Sequence, residues 1–370
     1  MWISQLDLTQ WRNHETTRLL CPVGVTVLVG PNGQGKTNIV EAIRYLATLG
    51  SHRVAATAPL IRDGADSATV YGHLHHGDRE VAAGITLKRH GSNDATVNGK
   101  RVKVSEIPRW VSTVMFAPED AAIVRGEPTF RRAFMDELVL SGSPSMAAVF
   151  SDFDRLVKQR NSLLKSLRSA SRSADLSTLD AWTESFAQAA ATIVAERVRY
   201  LRDVIPLVAK HYDSLAGGDQ IAATYMPKGY ALEDTSREFI TESIVEALAT
   251  VRQDELDRGM TLIGPHRDDV GLTVEGKPAR THASQGETWS LALSLRLGMA
   301  AWIRENRPSG DPIMILDDVF AELDAMRREK LVGAITGYEQ LIITTAVEED
   351  LPSGLEGHRL DVKEGVVTPR

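Results

Sequence analysis

A glycine-rich segment near the start of the chain has the composition and spacing of a phosphate-binding loop. It matches the pattern G-x-x-x-x-G-K-[ST] through Gly30, Pro31, Asn32, Gly33, Gln34, Gly35, Lys36 and Thr37. Glycines let backbone amides wrap phosphate oxygens, the lysine reaches the β- and γ-phosphates, and the threonine hydroxyl binds Mg²⁺. The segment therefore predicts a site for a nucleoside triphosphate and Mg²⁺, with Lys36 as a catalytic cation and Thr37 as a metal ligand.

The flanking residues supply the strand and the helix that such a loop requires. Val25–Val29 is an apolar, β-branched run typical of a buried parallel strand. After the loop, Ile39, Ile43 and Leu46 recur at helical spacing. The first amides of a helix lack intrahelical partners and point at an anion. A glycine turn that merely happens to contain Lys-Thr would not account for both flanks.

A second apolar run ends in two carboxylates that would complete a hydrolytic site. Pro312–Leu316 predicts a buried strand, and Asp317 and Asp318 follow it directly. Asp317 is placed to bind the Mg²⁺ shell, as in a Walker B strand. Asp318 is placed to orient the attacking water or to accept its proton. Paired acids after an apolar strand are common by chance, so this pair alone does not establish the site.

Two further segments near the C-terminus have both a functional and a structural interpretation. Ser284-Gln285-Gly286-Glu287 precedes the amphipathic run Trp289–Trp302. A small, polar, glycine-containing turn at a helix N-terminus is an anion cradle, but the same residues also fit a capping box. Ala321-Glu322-Leu323-Asp324 is by itself an acidic helix N-terminus.

Length and composition limit the class of protein. A chain of 370 residues can bury a large core and predicts two domains. The single cysteine, Cys21, excludes an intramolecular disulfide and predicts a small core residue. The net charge of −7 argues against indiscriminate coating of DNA but allows a local basic face. Met1–Leu8 lacks a basic n-region and no stretch approaches a membrane span, so we expect a cytoplasmic protein without a membrane partner.

The chain divides into three stretches by its patterns. Residues 1–127 are strand-rich and contain the phosphate-binding loop, residues 128–255 are helical and poor in strand signals, and residues 256–370 return to strands and helices. The first stretch predicts a strand over Trp2–Leu8, a hairpin from Ala68–His76 and Val81–Arg89, and a turn at Asn98-Gly99. In the last stretch, a strand end is predicted at Thr261–Ile263.

The middle stretch predicts two antiparallel helices of about 20 residues each, forming an arm of roughly 30 Å. Apolar residues step by three or four on both sides of Ser169–Ser177, which predicts a loop. Basic residues along the first helix have two interpretations, contact with DNA phosphates or a solvated face. They are Lys158, Arg160, Lys165, Arg168 and Arg172.

The order of these segments is that of ABC-type ATPases: phosphate-binding loop, long insertion, Ser-x-Gly-Glu turn, acidic strand end, Glu-Leu-Asp. In that arrangement the Ser-x-Gly turn caps the γ-phosphate bound by the partner subunit. Ser284, Gly286 and Glu287 are therefore predicted to contact nucleotide across a homodimer that holds two ATP molecules. ATP would join the subunits, and hydrolysis would release them.

Longer strings give a closer resemblance that spans nearly the whole chain. The strings are Trp11-Arg12-Asn13, the loop with Asn38-Ile39-Val40-Glu41-Ala42, Ser51-His52-Arg53, Phe116-Ala117-Pro118-Glu119-Asp120, Arg131-Arg132-Ala133-Phe134-Met135-Asp136, Gly264-Pro265-His266-Arg267-Asp268-Asp269 and Leu316-Asp317-Asp318-Val319-Phe320-Ala321-Glu322-Leu323-Asp324. Together they resemble the RecF family, bacterial recombination and repair ATPases related to SMC heads. The last two strings are far more specific than the phosphate-binding loop.

The resemblance implies an α/β fold, an ABC-type (SMC-like) ATPase head with an inserted α-helical arm domain. It also implies ATP-dependent dimerisation, weak DNA-dependent ATPase activity, and binding to gapped duplex or single-strand/duplex junctions. RecR and RecO are the implied partners in placing the recombinase on DNA, in repair and the SOS response.

Several residues within the resemblance have two interpretations. Arg12 and Arg53 would contact the nucleotide or lie on the surface. His266-Arg267 would contact the dimer or nucleotide interface, or form a loop salt bridge to Asp268 or Asp269.

This chain also departs from the family pattern at three places. Glu287-Thr288-Trp289 stands where the family often has Gln-Gln-Arg, and tryptophan cannot supply the charge of that arginine. The strand Gln340–Thr345 ends in threonines where many ABC ATPases keep a switch histidine, which fits slow hydrolysis. Glu119 stands where the wider group has a lid glutamine.

Two other classes remain open from the sequence. A transporter-coupling ATPase would need an apolar surface for a membrane partner on the middle stretch, which shows no such patch. A nucleotide-binding adaptor without turnover would not need the paired acids Asp317 and Asp318.

Overall fold

The computed structural model describes residues 1–54, 56–169, 176–218, 220–352 and 354–370. The loop predicted over Ser169–Ser177 lies largely outside these residues. The strands are β1 (Trp2–Trp11), β2 (His14–Leu20), β3 (Gly24–Val29), β4 (Ser67–His76), β5 (Arg79–Lys88), β6 (Asp94–Val97), β7 (Lys100–Val102), β8 (Thr113–Phe116), β9 (Ile221–Met226), β10 (Asp269–Val274), β11 (Lys277–Pro278), β12 (Ile313–Asp317), β13 (Gln340–Thr345), β14 (His358–Lys363) and β15 (Val366–Pro369).

Helices occur in every part of the described chain. The α-helices are α1 (Lys36–Thr48), α2 (Ala121–Arg125), α3 (Pro128–Gly142), α4 (Met146–Ser169), α5 (Ser177–Ala216), α6 (Arg237–Thr250), α7 (Arg252–Arg258), α8 (Ala279–His282), α9 (Gln285–Asn306) and α10 (Ala325–Ile335). Short 3-10 helices cover Ala58–Leu60, Val104–Arg109, Pro118–Asp120, Phe320–Glu322 and Glu348–Asp350.

The chain folds into two compact units that each contain more than one segment. Unit 1 comprises Met1–Ala121, Pro206–Gln220 and Ser284–Arg370, and unit 2 comprises Ala122–Ile205 and Ile221–Ala283. Residues 256–283, which the sequence grouped with the C-terminal stretch, therefore belong to unit 2. The assignment of 1–127 and 256–370 to an ATPase head, and of 128–255 to an arm, stays a prediction.

The central sheet of unit 1 places the candidate functional residues at one edge. Its strand order is β15-β14-β3-β13-β12-β8, and β14, β3, β13, β12 and β8 run parallel. Strands β12 and β13 are buried along their whole length, as expected for a parallel sheet covered on both faces. The carboxyl ends of parallel strands meet at the same edge, where ligands of open α/β sheets bind. The predicted strands before the loop and before the acids are confirmed.

A second sheet of unit 1 is antiparallel, in the order β2-β1-β4-β5-β6-β7. The predicted hairpin is confirmed as β4 and β5, which pair from Ser67 with Lys88 to His76 with Arg79. Asn98 and Gly99 join β6 to β7 with positive φ at both residues, 49° and 74°, as a type I′ turn requires. Cys21 is buried in the core between these elements, as predicted.

In unit 2, α4 and the first part of α5 run antiparallel, as predicted. The Phe153 ring lies 5.2 Å from that of Phe186, and Arg160, further along α4, reaches back to Thr183 on α5. The predicted length of α5 is wrong. It has 40 residues because the helix continues through Pro206, beyond the apolar stripe that defined its predicted end.

In this region one strand was missed and one predicted strand end is wrong. Ile221–Met226 forms β9, which pairs with β10 in the order β11-β10-β9. The sequence gives little sign of this strand because two of its residues are alanines, which have low strand propensity. Thr261–Ile263, predicted as a strand end, has no regular secondary structure.

Candidate nucleotide-binding site

The phosphate-binding loop has the backbone geometry that its glycines predict. A Cβ on Gly30 would lie 2.2 Å from the carbonyl oxygen of Val362, so only glycine fits there. Gly35, the residue before α1, has a φ of 115°, which favours glycine. Lys36 is 3% exposed, and its Nζ donates to the carbonyl oxygens of Gly30 at 2.7 Å and Pro31 at 3.2 Å. The ammonium group is thus held over the loop by neutral partners.

The turn between β14 and β15 holds the loop from the other end of the chain. The Gly365 amide donates to the Gln34 carbonyl oxygen at 2.9 Å. The Glu364 amide donates to Gln34 Oε1 at 2.8 Å, and Asn13 Nδ2 donates to the Gln34 carbonyl oxygen at 3.0 Å. The predicted loop residue Gln34 is therefore fixed by three hydrogen bonds through both its backbone and its side chain.

His14 joins the same two segments and was not identified from the sequence. Its ring is fully buried, with Nε2 3.1 Å from the Gly35 carbonyl oxygen and Nδ1 2.8 Å from that of Gly365. Burial lowers the pKa of His14, against the raising effect of these carbonyl groups. His14 and Gly365 are 351 residues apart, so no local pattern could have linked them.

Thr37 and Asp317, predicted as Mg²⁺ ligands from separate motifs, lie together. Thr37 Oγ1 donates to Asp317 Oδ1 at 3.1 Å, and Thr344 Oγ1 donates to the same oxygen at 2.6 Å. Burial raises the pKa of Asp317 to about 6, and the nearby charges of Asp318 and Glu119 add to this effect. A hydroxyl and a carboxylate beside a phosphate loop form the small oxygen donor set that Mg²⁺ uses with phosphates and water. These residues therefore fit the predicted metal.

Asp318 follows Asp317 in an unusual backbone conformation. Its φ is 52°, uncommon for a residue other than glycine and concentrated at functional sites. Its amide donates to Thr344 Oγ1 at 2.9 Å, and its side chain is half-buried. This conformation places Asp318 beside Asp317 at the edge of the sheet where the loop lies, as a water-orienting acid requires.

Arg12 lies beside the loop, but its guanidinium has a partner within the chain. Arg12 Nε and Nη2 donate to the two carboxylate oxygens of Glu41 at 2.8 Å and 2.7 Å. Burial opposes the charge of Glu41, yet hydrogen bonds from Arg12 and Ser51 hold its pKa below the usual range. A cavity of about 490 Å³ opens here, lined by Arg12, Asn13, Asn38, Arg53, Pro59, Ile61, Arg62 and Asp63. Contact between Arg12 and nucleotide stays a prediction.

Within one chain, Ser284 and Glu287 form the capping box that was the structural interpretation of this turn. The Ser284 amide donates to Glu287 Oε2 at 2.7 Å, and the Glu287 amide donates to Ser284 Oγ at 3.3 Å. Ser284 is exposed, and a Cβ on Gly286 would lie 2.1 Å from Arg327 Nη2. The contact of these three residues with a partner's nucleotide stays a prediction.

The helix that follows explains the departure at Trp289. The run Trp289–Trp302 was predicted to be amphipathic, which is wrong, because α9 is buried on nearly all sides. Trp289 is 9% exposed and packs edge-to-face on Phe116, with ring centroids 5.6 Å apart. Trp289 is therefore a packing residue.

In unit 2 the Gly264–Asp269 string forms a buried polar cluster. Asp268 accepts hydrogen bonds from Tyr225, Tyr230 and the Lys228 amide. Asp269 Oδ1 and Oδ2 pair with Arg131 Nε and Nη2 at 2.7 Å and 2.9 Å.

A salt bridge from the His266-Arg267 pair to Asp268 or Asp269 is not among these bonds, and its contact with a dimer or nucleotide interface stays a prediction. The His266 ring packs on Phe153 and Phe186, and Arg267 donates to the Thr261 carbonyl oxygen. This arrangement stabilises the fold of unit 2.

Arg160 also differs from the basic face proposed for α4. It is 2% exposed, with Nη2 2.7 Å from Glu255 Oε2 and Nη1 2.9 Å from Thr261 Oγ1. A buried, paired arginine cannot contact DNA phosphates. Arg172, another member of that basic set, lies outside the described residues.

The family model described as the RecF/RecN/SMC N terminal domain matches residues 2–362. A Clavibacter sepedonicus protein named DNA replication and repair protein RecF is 42% identical, over 99% of this chain and 95% of that protein. The chain belongs to the RecF family. A Streptomyces avermitilis RecF of the same name is 43% identical, over 99% of each chain.

Solved structures agree with this RecF assignment. A chain described as the recombination mediator protein RecF-ATPrS in the RecFOR pathway matches with a TM-score of 0.91 at 25% identity, over 100% of this chain and 98% of that one. A chain described as RecF-ATP in the same pathway matches with a TM-score of 0.90 at 27% identity, over 100% of this chain and 97% of that one. An Smc head bound to the C-winged helix domain of ScpA matches with a TM-score of 0.56 at 17% identity, over 100% of this chain and 96% of that one. This match shows the fold alone.

The predicted fold class, an ABC-type, SMC-like ATPase, is confirmed by these matches. None of the helices in the described part of the RecF-family chain combines the length and apolar character needed to cross a bilayer.

Proposed function

We propose that this chain is an ATP-driven, DNA-binding switch of recombinational repair. ATP binds the loop Gly30–Thr37, Mg²⁺ is held by Thr37 and Asp317, and Asp318 orients the attacking water. Slow hydrolysis resets the protein. We place it in the cytoplasm and in the DNA-damage response, because its relatives are named DNA replication and repair proteins.

The hydrogen bond from Thr37 to Asp317 carries this proposal. It joins the loop to the acidic strand end across 280 residues, with 3.1 Å between the oxygen atoms. Lys36 contributes a buried cation and Asp317 a buried carboxylate, and both have neutral hydrogen-bond partners. Burial of unneutralised charges is costly, so a ligand that brings phosphate and Mg²⁺ would stabilise both groups. The RecF-ATP name of a similar solved chain supports ATP as that ligand.

The second half of the proposal is an ATP-dependent homodimer. Ser284, Gly286 and Glu287 lie at the N-terminus of α9, so the helix dipole presents partial positive charge to an anion there. Ser284 is exposed and therefore accessible to a second copy of the chain. In the dimer these residues would cap the γ-phosphate bound by the partner subunit.

The partners follow from the family. The similar solved chains are described as mediators in the RecFOR pathway. We therefore propose that the dimer binds gapped duplex or single-strand/duplex junctions and acts with RecO and RecR in loading the recombinase. DNA would stimulate a weak ATPase because it favours the dimer in which both sites are complete.

Sedimentation with Mg²⁺-ATP, with and without gapped duplex DNA, tests this switch. We expect the wild type to form a dimer only with ATP, and DNA to increase the dimer fraction. Lys36→Ala should remain a monomer because it binds ATP poorly. Ser284→Arg should bind ATP but remain a monomer, because the added side chain occupies the interface.

Ser236→Arg is the matched control, because Ser236 is the N-cap of α6 and accepts a hydrogen bond from the Phe239 amide. It loses a cap as Ser284→Arg does, and it should dimerise like the wild type. A wild type that binds ATP and stays monomeric would contradict the switch and favour the adaptor function. Dimerisation of Ser284→Arg would contradict the proposed interface.

A further inference from the structure

We propose that Thr344 is a positioning residue of the ATPase site, whose hydroxyl sets the orientation of Asp317 and the backbone of Asp318 together. This inference rests on the function proposed above. It assigns a role to a strand end that was notable from the sequence only for its lack of a histidine.

The sheet brings Thr344 and the acids into register. In the parallel pair of β12 and β13, Asp317 lies opposite Thr344. Side chains of neighbouring residues in register project to the same face of a sheet. Thr344 is fully buried there, and its Oγ1 lies 2.6 Å from Asp317 Oδ1 and 2.9 Å from the Asp318 nitrogen.

The chemistry of the three groups fixes the direction of each hydrogen bond. A backbone amide can only donate, so Thr344 Oγ1 accepts the hydrogen bond from Asp318. The single hydroxyl proton of Thr344 is then free to donate to Asp317 Oδ1. The hydroxyl therefore accepts from the Asp318 amide through a lone pair and donates its proton to the ionised carboxylate of Asp317, which has no proton to donate.

Both bonds act on the geometry that the reaction needs. Asp317 Oδ1 accepts from Thr344 and from Thr37, so two hydroxyls orient the carboxylate relative to the loop. Asp318 has a φ of 52°, a conformation that the surrounding structure must maintain. The hydrogen bond from its amide to Thr344 Oγ1 helps to hold the backbone in that conformation. Groups that orient metal ligands in this way affect metal affinity although they do not touch the metal.

The neighbouring threonine provides an internal comparison. Thr345 is 2% exposed and its hydroxyl donates to the Val347 carbonyl oxygen at 2.7 Å. Thr344 and Thr345 thus share residue type, strand and burial, and they differ in what the hydroxyl contacts. Removing the hydroxyl of Thr345 should leave the acids in place.

The test compares Thr344→Val, Thr344→Ser and Thr345→Val. Affinity for a fluorescent ATP analogue is measured in EDTA and then against Mg²⁺ concentration, followed by kcat and KM for ATP at saturating Mg²⁺. For Thr344→Val we expect unchanged affinity in EDTA, a half-saturating Mg²⁺ concentration raised by about 10- to 100-fold, and a lower kcat. Thr344→Ser should restore the Mg²⁺ response, and Thr345→Val should resemble the wild type. If Thr344→Val does not fold, Thr344→Ala removes the same hydroxyl with less bulk.

Two results would overturn the proposal. A wild-type Mg²⁺ response and kcat in Thr344→Val would show that the hydroxyl does not position the acids. Equal losses in Thr344→Val and Thr344→Ser would show that keeping the hydroxyl does not preserve the site, and would assign the effect to the packing of the whole side chain. Asp317→Asn distinguishes a wrong role for Thr344 from a wrong function for the site. If Asp317→Asn also keeps the wild-type Mg²⁺ response, Asp317 is not a metal ligand and the proposed function is wrong.

Discussion

The candidate site of unit 1 and two buried ion pairs of unit 2 all contain buried charges, but these charges have different partners. In unit 1, the ammonium of Lys36 contacts carbonyl oxygens and the carboxylate of Asp317 contacts hydroxyls. In unit 2, Arg160 pairs with Glu255 and Arg197 pairs with Asp136, each within hydrogen-bonding distance of the opposite charge. The charges of Arg160 and Arg197 are balanced by carboxylates within the chain, whereas Lys36 and Asp317 are held by neutral groups.

This difference distinguishes the candidate ligand-binding charges, Lys36 and Asp317, from the paired arginines Arg160 and Arg197. A buried charge with neutral partners retains much of its desolvation cost, and a ligand of opposite charge can relieve it. The raised pKa of Asp317, about 6, is a direct sign of that cost. A matched pair offers a ligand little, because the ligand would have to replace an existing partner. By this criterion Arg12, which is already bound to Glu41, gains less from a nucleotide than Lys36 does, and its contact with nucleotide stays a prediction.

The largest expected effect comes from breaking a matched pair in unit 2. Glu255→Gln removes the charge that balances Arg160 and leaves a buried arginine uncompensated. We expect the free energy of unfolding to fall by about 3–5 kcal/mol, measured by urea denaturation. The control is Glu184→Gln, an exposed residue of α5, which should change stability by less than about 0.5 kcal/mol. Equal effects of the two variants would show that the buried pair is not structural.

An acid-stability measurement tests the effect of partial burial on the charge of His266 in unit 2. Burial lowers the pKa of His266 to about 4, from an ordinary value of 6.5. The unfolded chain therefore binds a proton more readily, and the His266 contribution to stability, complete above pH 6.5, is lost as the pH falls toward 4. Each pH unit in this window should cost about 1.4 kcal/mol. His266→Phe, which keeps an aromatic ring, should lose less stability between pH 6.5 and 4.

The same pH dependence in the wild type and His266→Phe would contradict the lowered pKa of His266. The comparison uses the slope of unfolding free energy against pH, so a constant packing difference between histidine and phenylalanine does not affect it.

The smallest expected effect concerns His14, a buried polar residue of unit 1 that contacts backbone carbonyl oxygens of the loop and of the β14–β15 turn. His14→Phe keeps the ring but loses the bonds to Gly35 and Gly365, so the loop is less well fixed. A lost hydrogen bond of about 1 kcal/mol predicts ATP binding weaker by roughly 5-fold, measured by calorimetry. His75→Phe, which retains a ring to stack on Trp2, is the control and should bind ATP normally. A normal affinity in His14→Phe would show that the hairpin turn does not support the loop.

The parts of the fold that were predicted correctly depend on neighbours in sequence. The strand before the loop, helix α1, the hairpin of β4 and β5 and the Asn98-Gly99 turn all follow from short periodic or turn patterns. Lys36, Thr37 and Asp317 were identified because each lies at the end of such a pattern. Their meeting at one sheet edge follows from the parallel topology.

The errors and omissions share a different cause, because they depend on residues far apart in the chain. Arg160 was grouped with the basic residues of α4, but its partner Glu255 lies 95 residues away. Strand β9 is stabilised by pairing with β10 rather than by its own composition. Thr344 and His14 acquire their roles only through tertiary contacts. Local propensity is a weak guide wherever such contacts decide the structure.

ATP hydrolysis by two Asp→Asn variants tests the central comparison most directly. Asp318→Asn changes the proposed water-orienting acid, and Asp269→Asn changes a carboxylate paired with Arg131. Single-turnover hydrolysis at saturating Mg²⁺-ATP should be nearly lost in Asp318→Asn at unchanged melting temperature. Folded Asp269→Asn should hydrolyse ATP at the wild-type rate but melt at a lower temperature. Normal hydrolysis by Asp318→Asn, or lost hydrolysis by folded Asp269→Asn, would contradict the account.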